Sequence, residues 1–204
     1  MPYSQFTIEQ IKENFDINLV EKVASFANTS EVDYSQFLEE TLEYNIPLAL
    51  AIASEKARSE MIITPILIEL KKQFNSKISL FSGKEFEVDA ALGLNGFCDY
   101  LISLSSEQLV LESPVIAVVE AKNDRIESGL GQCMAEMIAA QIFNQRKKNE
   151  IKTIYGVVTT GSLWKFMKLE GKTIEVDLNE YFLNPVGKII AIFKAAITSN
   201  SVQM

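Results

Sequence analysis

Phe97-Cys98-Asp99-Tyr100-Leu101-Ile102-Ser103 and Val115-Ile116-Ala117-Val118-Val119-Glu120-Ala121-Lys122 are the two stretches that decide the fold. The second begins with a continuous apolar run, the pattern of a central strand covered on both faces. Because side chains alternate along a strand, Glu120 and Lys122 share one face. The first stretch holds a single carboxylate, Asp99, among apolar neighbours. If the two strands pair, Asp99, Glu120 and Lys122 come within a few ångströms of one another.

The pattern Glu-x-Lys is weak by itself because it occurs four times, at 69–71, 120–122, 150–152 and 170–172. The first lies in a predicted helix, the third at a helix-to-strand junction and the fourth in a turn. Only Glu120 and Lys122 end an apolar strand, where burying a charge without a partner costs several kcal/mol. These two charges therefore need each other, as a structural ion pair at the sheet edge, or they need a ligand.

Two neighbouring carboxylates repel each other, and one of them tends to stay protonated. A divalent cation removes that problem, and Mg²⁺ typically takes one or two carboxylates together with waters and phosphate oxygens. A lysine beside such an ion supplies a point charge near the attacking water or the phosphate. The three residue types on adjacent strands therefore suit metal-assisted hydrolysis of phosphodiesters, with Mg²⁺ or Mn²⁺ as the cofactor.

The composition excludes some chemistry and bounds the partners. The chain has 204 residues and no histidine, so a histidine base and histidine-bound zinc are excluded. The net charge of −8 argues against a nucleic-acid partner, but it is unevenly distributed. Residues 1–60 carry 4 Lys/Arg against 11 Asp/Glu, whereas residues 61–204 carry 15 against 16. The acidity belongs to the N-terminal segment, and the remainder is close to neutral.

Location is indicated by the cysteines and by the lack of long apolar runs. No run approaches the roughly 20 residues that span a bilayer, and the N-terminus is polar and acidic, unlike a secretory signal. Cys98 and Cys133 fall inside predicted elements without the spacing of metal ligands. Buried free thiols are typical of a reducing compartment, so we expect a cytoplasmic protein without a membrane partner.

Periodicity and turn residues predict the order of elements. Thr7-Ile8-Glu9-Gln10 fits a capping box that opens a first helix, which resumes over residues 19–26. A second helix covers residues 35–44, and the chain restarts at Pro47 into a long helix to Phe74, kinked at Pro65. The later elements are strands at 77–81 and 85–92 around a turn, the two quoted strands, a helix at 128–149, strands at 154–159, 163–167 and 173–176, and a C-terminal helix through Phe193.

Asp99, followed by Glu120-Ala121-Lys122 after an apolar strand, resembles the PD-(D/E)XK nuclease superfamily. The order of helix, three strands, helix and further strands is also similar to that superfamily's core. Residues 160–166 resemble a hairpin in the nuclease domains of type I restriction motor subunits, and residues 58–65 resemble their first core helix. The resemblance covers about residues 55–178. Cys98 stands where the family name has proline.

The resemblance implies an α/β fold with a restriction-endonuclease-like core, that is, a mixed β-sheet flanked by helices. Residues 55–204 would form the nuclease-like domain, preceded by an acidic helical segment at residues 1–54 within one compact unit. The implied activity is that of a Mg²⁺-dependent endodeoxyribonuclease. Asp99 and Glu120 would hold the metal, with the carbonyl of Ala121 as a further ligand. Lys122 would orient or activate water.

Two further site residues are implied by the same resemblance. The first core helix often carries an additional metal-side carboxylate, for which Glu60 is the candidate and Glu55 the rival. Gln132 opens the helix after the Glu-x-Lys strand, where the superfamily often has a polar site residue. An exposed helix residue without a role is the alternative for Gln132.

A second class of function remains open, namely a catalytically silent nuclease-fold protein that binds protein or nucleic acid. The complete set of Asp99, Glu120 and Lys122 favours the enzyme, while the net charge favours the binding module. The sequence leaves open whether the substrate is DNA or RNA and single- or double-stranded. Because a complete nuclease core needs no added helices, we expect the N-terminal helices to form the interface of a homodimer.

Overall fold

The structure of the protein is a computed structural model that describes residues 2–75, 77–149 and 151–201. Within these residues, eight strands form one mixed sheet. They are β1 (Asn18–Lys22), β2 (Ser79–Glu85), β3 (Phe97–Ser103), β4 (Val115–Ala121), β5 (Thr153–Thr159), β6 (Leu163–Glu170), β7 (Thr173–Asp177) and β8 (Tyr181–Phe182). The order across the sheet is β1-β7-β6-β5-β4-β3-β2, and β8 pairs with β6. Glu150 of the third Glu-x-Lys pattern and residues 202–204 of the predicted 55–204 domain lie outside the described residues.

Helices cover both faces of this sheet. They are α1 (Ile8–Phe15), α2 (Gln36–Ile52), α3 (Glu55–Arg58), a π-helical turn (Ser59–Ile63), α4 (Thr64–Gln73), α5 (Glu127–Arg146) and α6 (Val186–Ser201), with 3₁₀ turns at Tyr3–Gln5 and Ala90–Leu92. One core lies between the sheet and α5, and it includes the N-terminal turn and α1. The other core lies between the sheet and α2, α4 and α6. The predicted α/β class, a mixed sheet flanked by helices, is therefore confirmed.

The two central strands run parallel, and α5 connects them. β4 pairs with β5 in parallel, which requires a crossover connection, and α5 supplies it. β4 is buried along its whole length because helices cover it on both sides. On its other edge β4 pairs antiparallel with β3, so the expected pairing of the two quoted strands is confirmed. Because β3 and β4 are antiparallel, Asp99 near the start of β3 and Glu120 near the end of β4 lie at the same edge of the sheet.

The N-terminal segment packs into both cores, and one part of it is not helical. The capping box at Thr7 is confirmed. The prediction that the helix resumes over residues 19–26 was wrong, because Asn18–Lys22 forms the edge strand β1, parallel to β7. Backbone pairing with a strand more than 150 residues away decided the conformation there, against the local pattern. Tyr3 and Ile11 are buried in the α5-side core, so this segment is integral to the fold.

Further local predictions were wrong. The strand expected at 85–92 is not formed, because β2 ends at Glu85, and the long helix expected from Pro47 to Phe74 is interrupted at Ala53, where α2 ends. Ser82-Gly83-Lys84 does not reverse the chain but lies within the single strand β2, where Gly83 has a positive φ of 58°. Glycine tolerates that conformation, so the residues that predicted a turn form a locally distorted strand instead. The chain also does not restart before Pro47, because α2 continues through this residue at the cost of one helical N–H.

The N-terminus of α2 is fastened to α4 by a buried carboxylate. Ser35 caps α2 by accepting the N–H of Leu38. Glu69 on α4 accepts both the backbone N–H and the hydroxyl of Ser35, at 3.0 and 2.7 Å, and also the amide of Gln73. α3 and the π-helical turn follow α2 directly, and together they form a helical wall beside the central strands. The anchor at Glu69 therefore helps to set the position of this wall.

None of the helices within residues 2–75, 77–149 and 151–201 combines the length and the apolar character that crossing a bilayer requires.

Candidate active site

Asp99 is attached to the strand that carries the other candidate residues. The pairing of β3 with β4 has Tyr100 opposite Val119, and continuation of this register places Asp99 opposite Glu120. Asp99 Oδ2 accepts the backbone N–H of Ala121 at 2.7 Å. A side-chain carboxylate thus occupies the position of a ladder acceptor where the two strands end. In the pairing of β2 with β3, Gly83 falls opposite Asp99, so the β2 residue directly across from this acid has no side chain to cover it.

Glu120 and Lys122 form an ion pair on the α5 side of the sheet. Lys122 Nζ lies 2.5 Å from Glu120 Oε1. Glu120 is 2% exposed, and its other oxygen, Oε2, has no hydrogen-bond partner among the described residues. The stem of Lys122 passes over Gly129 of α5, where an added Cβ would lie 3.0 Å from Lys122 Cε. Gly129 therefore allows the helix to approach closely enough to hold the lysine beside Glu120.

Burial and mutual charge shift the pKa values of all three groups. Burial raises the pKa of Asp99, against the opposing effects of the Ala121 N–H and the Lys122 charge. Burial and then the negative charge of Asp99 raise the pKa of Glu120 to about 8. Burial lowers the pKa of Lys122, but the charge and hydrogen bond of Glu120 outweigh it and raise the pKa overall. The raised pKa of Lys122 keeps the lysine an ammonium near neutral pH, and the raised pKa of Glu120 means that burial and the charge of Asp99 outweigh this single positive partner.

Gln132 and Glu136 extend this cluster into α5. Gln132 Oε1 accepts a hydrogen bond from Lys122 Nζ at 3.3 Å, and Gln132 Nε2 donates to Glu136 Oε1 at 3.1 Å. Glu136 is fully buried, which is the largest cause that raises the pKa of its carboxyl group, followed by the charge of Glu120. A chain of hydrogen bonds therefore runs from Glu120 through Lys122 and Gln132 to an acid in the core.

A helical wall stands beside the strand ends and is held to β3 by Tyr100. The Tyr100 hydroxyl lies 2.5 Å from Ser59 Oγ and 2.8 Å from Thr64 Oγ1, and it donates to the Ser59 carbonyl at 3.1 Å. These contacts fix the π-helical turn, a distortion that is frequent at functional sites. Arg58 holds the same wall to the β5–β6 connection by donating to the carbonyl of Thr160 and to Ser162.

An open cleft of about 250 Å³ lies between this wall and the strand ends. From the sheet it is lined by Asp99, Tyr100 and Ala121, and the helical wall contributes Glu55 and Glu60. The carboxylate of Glu60 is exposed and pairs with Lys56 at 3.0 Å on the rim. The charge of Glu55 instead adds, after burial and Asp99, to the raised pKa of Glu120. Of the two rival carboxylates, Glu55 thus acts more directly on the central cluster.

The donor set fits a hard divalent cation that keeps most of its waters. Asp99 and Glu120 offer carboxylate oxygens, and Glu120 Oε2 is a buried acceptor without a partner among the described residues. One or two carboxylates with waters are the usual protein ligands of Mg²⁺. Within the described part of the chain, however, no three or more Asp, Glu, Cys or His residues group as a complete ligand set. The site therefore fits Mg²⁺ or Mn²⁺ through two acids and does not form an all-protein cage.

The sequence predictions missed Glu136 and Gly129. Glu136 carried a signal, since it is an acid within the run Met134-Ala135-Glu136-Met137-Ile138 and stands one helical turn after Gln132. Gly129 carried a weaker one, because glycine inside a helix needs a packing reason. Trp164 is fully buried and donates to the Gly161 carbonyl, so its ring offers no surface for stacking on a nucleic-acid base.

Fold and site together define an α/β protein with a mixed eight-stranded sheet, within the described residues, and an acid-lysine cluster at the end of its central strands. The chain matches no protein-family model, no curated protein and no solved structure. The likeness to PD-(D/E)XK nucleases therefore rests on the motif residues and on the order of the elements.

Proposed function

We propose that the protein is a metal-dependent nuclease that hydrolyses phosphodiester bonds of DNA. The observation that carries the proposal is the meeting of Asp99, Glu120 and Lys122 where two central strands end beside an open cleft. A purely structural ion pair would give both oxygens of Glu120 a partner, whereas Oε2 has none among the described residues. Stability alone therefore does not account for a buried acid at this position.

The charges around the cleft support a requirement for a cation. Asp99, Glu55 and Glu60 line the cleft together with Lys56, and Glu120 is the residue opposite Asp99 in the register of β3 and β4. A phosphodiester brings a further negative charge and would be repelled by this set of acids. A divalent ion at Asp99 and Glu120 would neutralise the two carboxylates and give a phosphate oxygen a positively charged partner.

The residues of the site have different roles in the proposed hydrolysis. Asp99 and Glu120 would hold Mg²⁺ or Mn²⁺, with the Ala121 carbonyl as a further ligand. The ion supplies charge stabilisation for the phosphoryl oxygens and the leaving group. Lys122 is an ammonium with a raised pKa, so it orients the attacking water and stabilises charge by hydrogen bonding rather than by accepting a proton. Water adds to phosphorus and gives up a proton to the solvent, the bond to one ester oxygen breaks, and that oxygen takes up a proton. The products are a phosphate monoester and a free hydroxyl.

The direct test is incubation with supercoiled plasmid and with single-stranded DNA, in Mg²⁺ or Mn²⁺ and with a chelator. We expect cleavage only with a metal, and loss of cleavage in Glu120→Gln. Glu107→Gln is the matched control, because Glu107 is an exposed acid in the loop at the opposite end of β3. A wild-type protein that neither cleaves nor binds either ion at millimolar concentration would exclude the nuclease.

A catalytically silent binding module is the second candidate, and one observation favours it. Lys122 already neutralises Glu120 at 2.5 Å, and the described residues hold no ligand set of three or more acids, cysteines or histidines. In that case the cleft would keep its shape without metal chemistry. Calorimetric titration with Mg²⁺ and Mn²⁺ separates the two candidates, since only the nuclease requires binding of the ion.

We further propose a homodimer formed through α2. This helix exposes an apolar stripe of Phe37, Tyr44, Leu48 and Ile52, of which Phe37 and Tyr44 are 69% and 77% exposed. The charges of α2 are acids in its N-terminal half, so antiparallel pairing with a second copy would set them against the uncharged C-terminal half. Phe37→Ser with Tyr44→Ser should halve the mass in solution. Deletion of residues 1–45 is unsuitable as a test, because it removes core residues.

We also place the protein in the cytoplasm, on the ground that Cys98 and Cys133 are both buried and unpaired. Such thiols persist in a reducing compartment. Cell fractionation that found the protein outside the cytoplasm would contradict this location.

A further inference from the structure

Glu136 is an acid that the stability of the core does not explain. It is fully buried on α5 and lies outside the lining of the cleft. Its Oε1 accepts one hydrogen bond, from Gln132 Nε2, and its Oε2 has no partner among the described residues. A half-satisfied buried carboxyl group is unfavourable compared with an apolar side chain of similar volume. Such a residue calls for a role other than packing.

The hydrogen bond of Glu136 decides which way the amide of Gln132 points. An amide has a donor end and an acceptor end, whereas the ammonium of Lys122 has donors only. The acceptor Oε1 of Gln132 must therefore face Lys122, and the donor Nε2 must find an acceptor on the opposite side. Glu136 Oε1 is that acceptor. Without it, the N–H₂ group of the half-buried Gln132 would lose this partner, and only the 3.3 Å contact with Lys122 would hold the amide in this orientation.

We propose that Glu136 is a positioning residue, which orients Gln132 so that Gln132 and Glu120 together hold the Lys122 ammonium. The role in turnover rests on the proposed nuclease function. Two of the three N–H donors of Lys122 are then directed at Glu120 Oε1 and Gln132 Oε1, and the third is left for water or a phosphate oxygen. Glu136 itself touches neither the cleft nor the reacting atoms.

The test compares an apolar and a polar replacement. Glu136→Met removes the acceptor at similar volume, and Glu136→Gln retains a carbonyl oxygen that can accept the Gln132 amide. We expect Glu136→Met to be at least as stable as the wild type but to lose turnover by roughly 10- to 100-fold, as is typical when an outer hydrogen-bond partner is removed. Glu136→Gln should retain a clearly larger share of turnover.

A matched control and a double variant sharpen the comparison. Glu175→Met removes another buried acid, but one on β7 whose two oxygens are both bonded, to Ser25 and Lys22. It should lose stability and keep turnover at temperatures below its melting point, which is the opposite of Glu136→Met. Gln132→Leu should lose as much turnover as Glu136→Met, and the double variant should lose no more than either, because both act through one contact.

A spectroscopic measurement separates this inference from the nuclease proposal. In ¹⁵N spectra of the whole protein, Glu136→Met should shift the side-chain amide signal of Gln132 and the ammonium signal of Lys122, and Glu136→Gln should shift them less. If the wild type cleaves nothing, the nuclease proposal fails and these signals alone decide the positioning role. Unchanged signals, wild-type turnover in Glu136→Met, or failure of that variant to fold would each overturn the inference.

Discussion

Asp99 Oδ2 accepts the backbone N–H of Ala121 at 2.7 Å, so the acid of β3 is fixed to the strand that carries Glu120 and Lys122. An amide oxygen accepts the same bond, whereas a methyl group does not. Asp99→Asn therefore removes the charge alone, and Asp99→Ala removes both the charge and the bond. Their comparison separates the chemical role of the residue from its structural role.

We expect both Asp99 variants to lose metal binding and to cleave about a hundredfold more slowly or worse. Asp99→Asn should unfold at the wild-type denaturant concentration, while Asp99→Ala should lose about 1–2 kcal/mol because the Ala121 N–H is left without its partner. Calorimetric titration, plasmid cleavage and urea unfolding measure the three quantities. Metal binding of wild-type strength in Asp99→Asn would contradict the assignment of Asp99 as a ligand.

Lys122 should affect turnover without being needed to bind the ion. Lys122→Met keeps the length of the stem over Gly129 but removes the charge, so we expect metal binding to persist and cleavage to be lost. Stability should fall by about 3 kcal/mol, because Glu120 loses its buried counter-charge. Lys172→Met is the control, since Lys172 pairs with Asp16 in an exposed position, where such pairs contribute little.

Replacement of Lys122 by arginine tests whether this lysine acts by its charge or by transferring a proton. If Lys122 acts by charge alone, Lys122→Arg should keep some turnover; if a proton must pass through it, Arg should be inactive. The raised pKa of Lys122, in which the charge of Glu120 outweighs burial, favours the first result. Wild-type cleavage by Lys122→Met would remove the lysine from the mechanism altogether.

Tyr100 should couple the helical wall to the strands. Tyr100→Phe removes the hydroxyl that contacts Ser59 and Thr64, so we expect a loss of about 1–2 kcal/mol and slower cleavage, because Glu55 is less firmly placed. Tyr155→Phe is the matched control, as its hydroxyl contacts only Ser199 at an exposed position among the described residues. Urea unfolding and cleavage rates of the two variants should differ; equal effects would contradict the coupling.

The central strands were predictable because their signals are local. An apolar run followed by alternating charge predicts β4, and a single acid in an apolar stretch predicts β3. Their pairing and the approach of Asp99 to Glu120 follow from adjacency in the chain. β1 was not predictable in this way, because its pairing with β7 is non-local and its residues also fit a helix.

The rest of the site depends on tertiary contacts that leave only weak traces in the sequence. Gly83 is a turn signal in any local reading, yet in β2 it lies opposite Asp99 and leaves the cleft open. Gln132 was expected in the site only through a resemblance, and neither its contact with Lys122 nor the presence of Glu136 behind it was predicted. Whether an acid on a helix is buried depends on which face of the helix is turned toward the sheet. α5 is apolar on most sides, so its sequence pattern does not determine that face.

Glu69 provides a test of pH dependence. Burial raises the pKa of this carboxyl group, but hydrogen bonds from Ser35 and Gln73 outweigh it, and the pKa lies below its usual value. A carboxyl group with a lowered pKa contributes stability above its unfolded pKa of about 4.3, and this contribution is lost as the pH falls through the folded value. Glu69→Gln should therefore be less stable than the wild type at pH 7, by about 2 kcal/mol.

The difference between Glu69→Gln and the wild type should shrink as the pH is lowered below about 4.3, because the unfolded wild-type chain then takes up a proton that the folded carboxylate takes up only at lower pH. Urea unfolding of both proteins at pH 7, 5 and 3.5 measures it. A difference that stays constant across this range would show that the charge of Glu69 is not what holds Ser35 at the start of α2.

Gly129 should be intolerant of the smallest possible side chain, although it lies inside a helix. Alanine normally stabilises a helix interior by about 1 kcal/mol relative to glycine. Here an added Cβ would lie 2.7 Å from Val158 Cγ1 and 3.0 Å from Lys122 Cε, so either the helix or the lysine must move. We expect Gly129→Ala to lose about 1–3 kcal/mol through overpacking and to slow cleavage more than it weakens metal binding, because Lys122 is displaced from Glu120.

Ser128→Ala, one residue earlier on the exposed side of α5, is the control and should leave cleavage unchanged. A Gly129→Ala protein that is more stable than the wild type and cleaves normally would show that the close approach of α5 does not hold Lys122 in place.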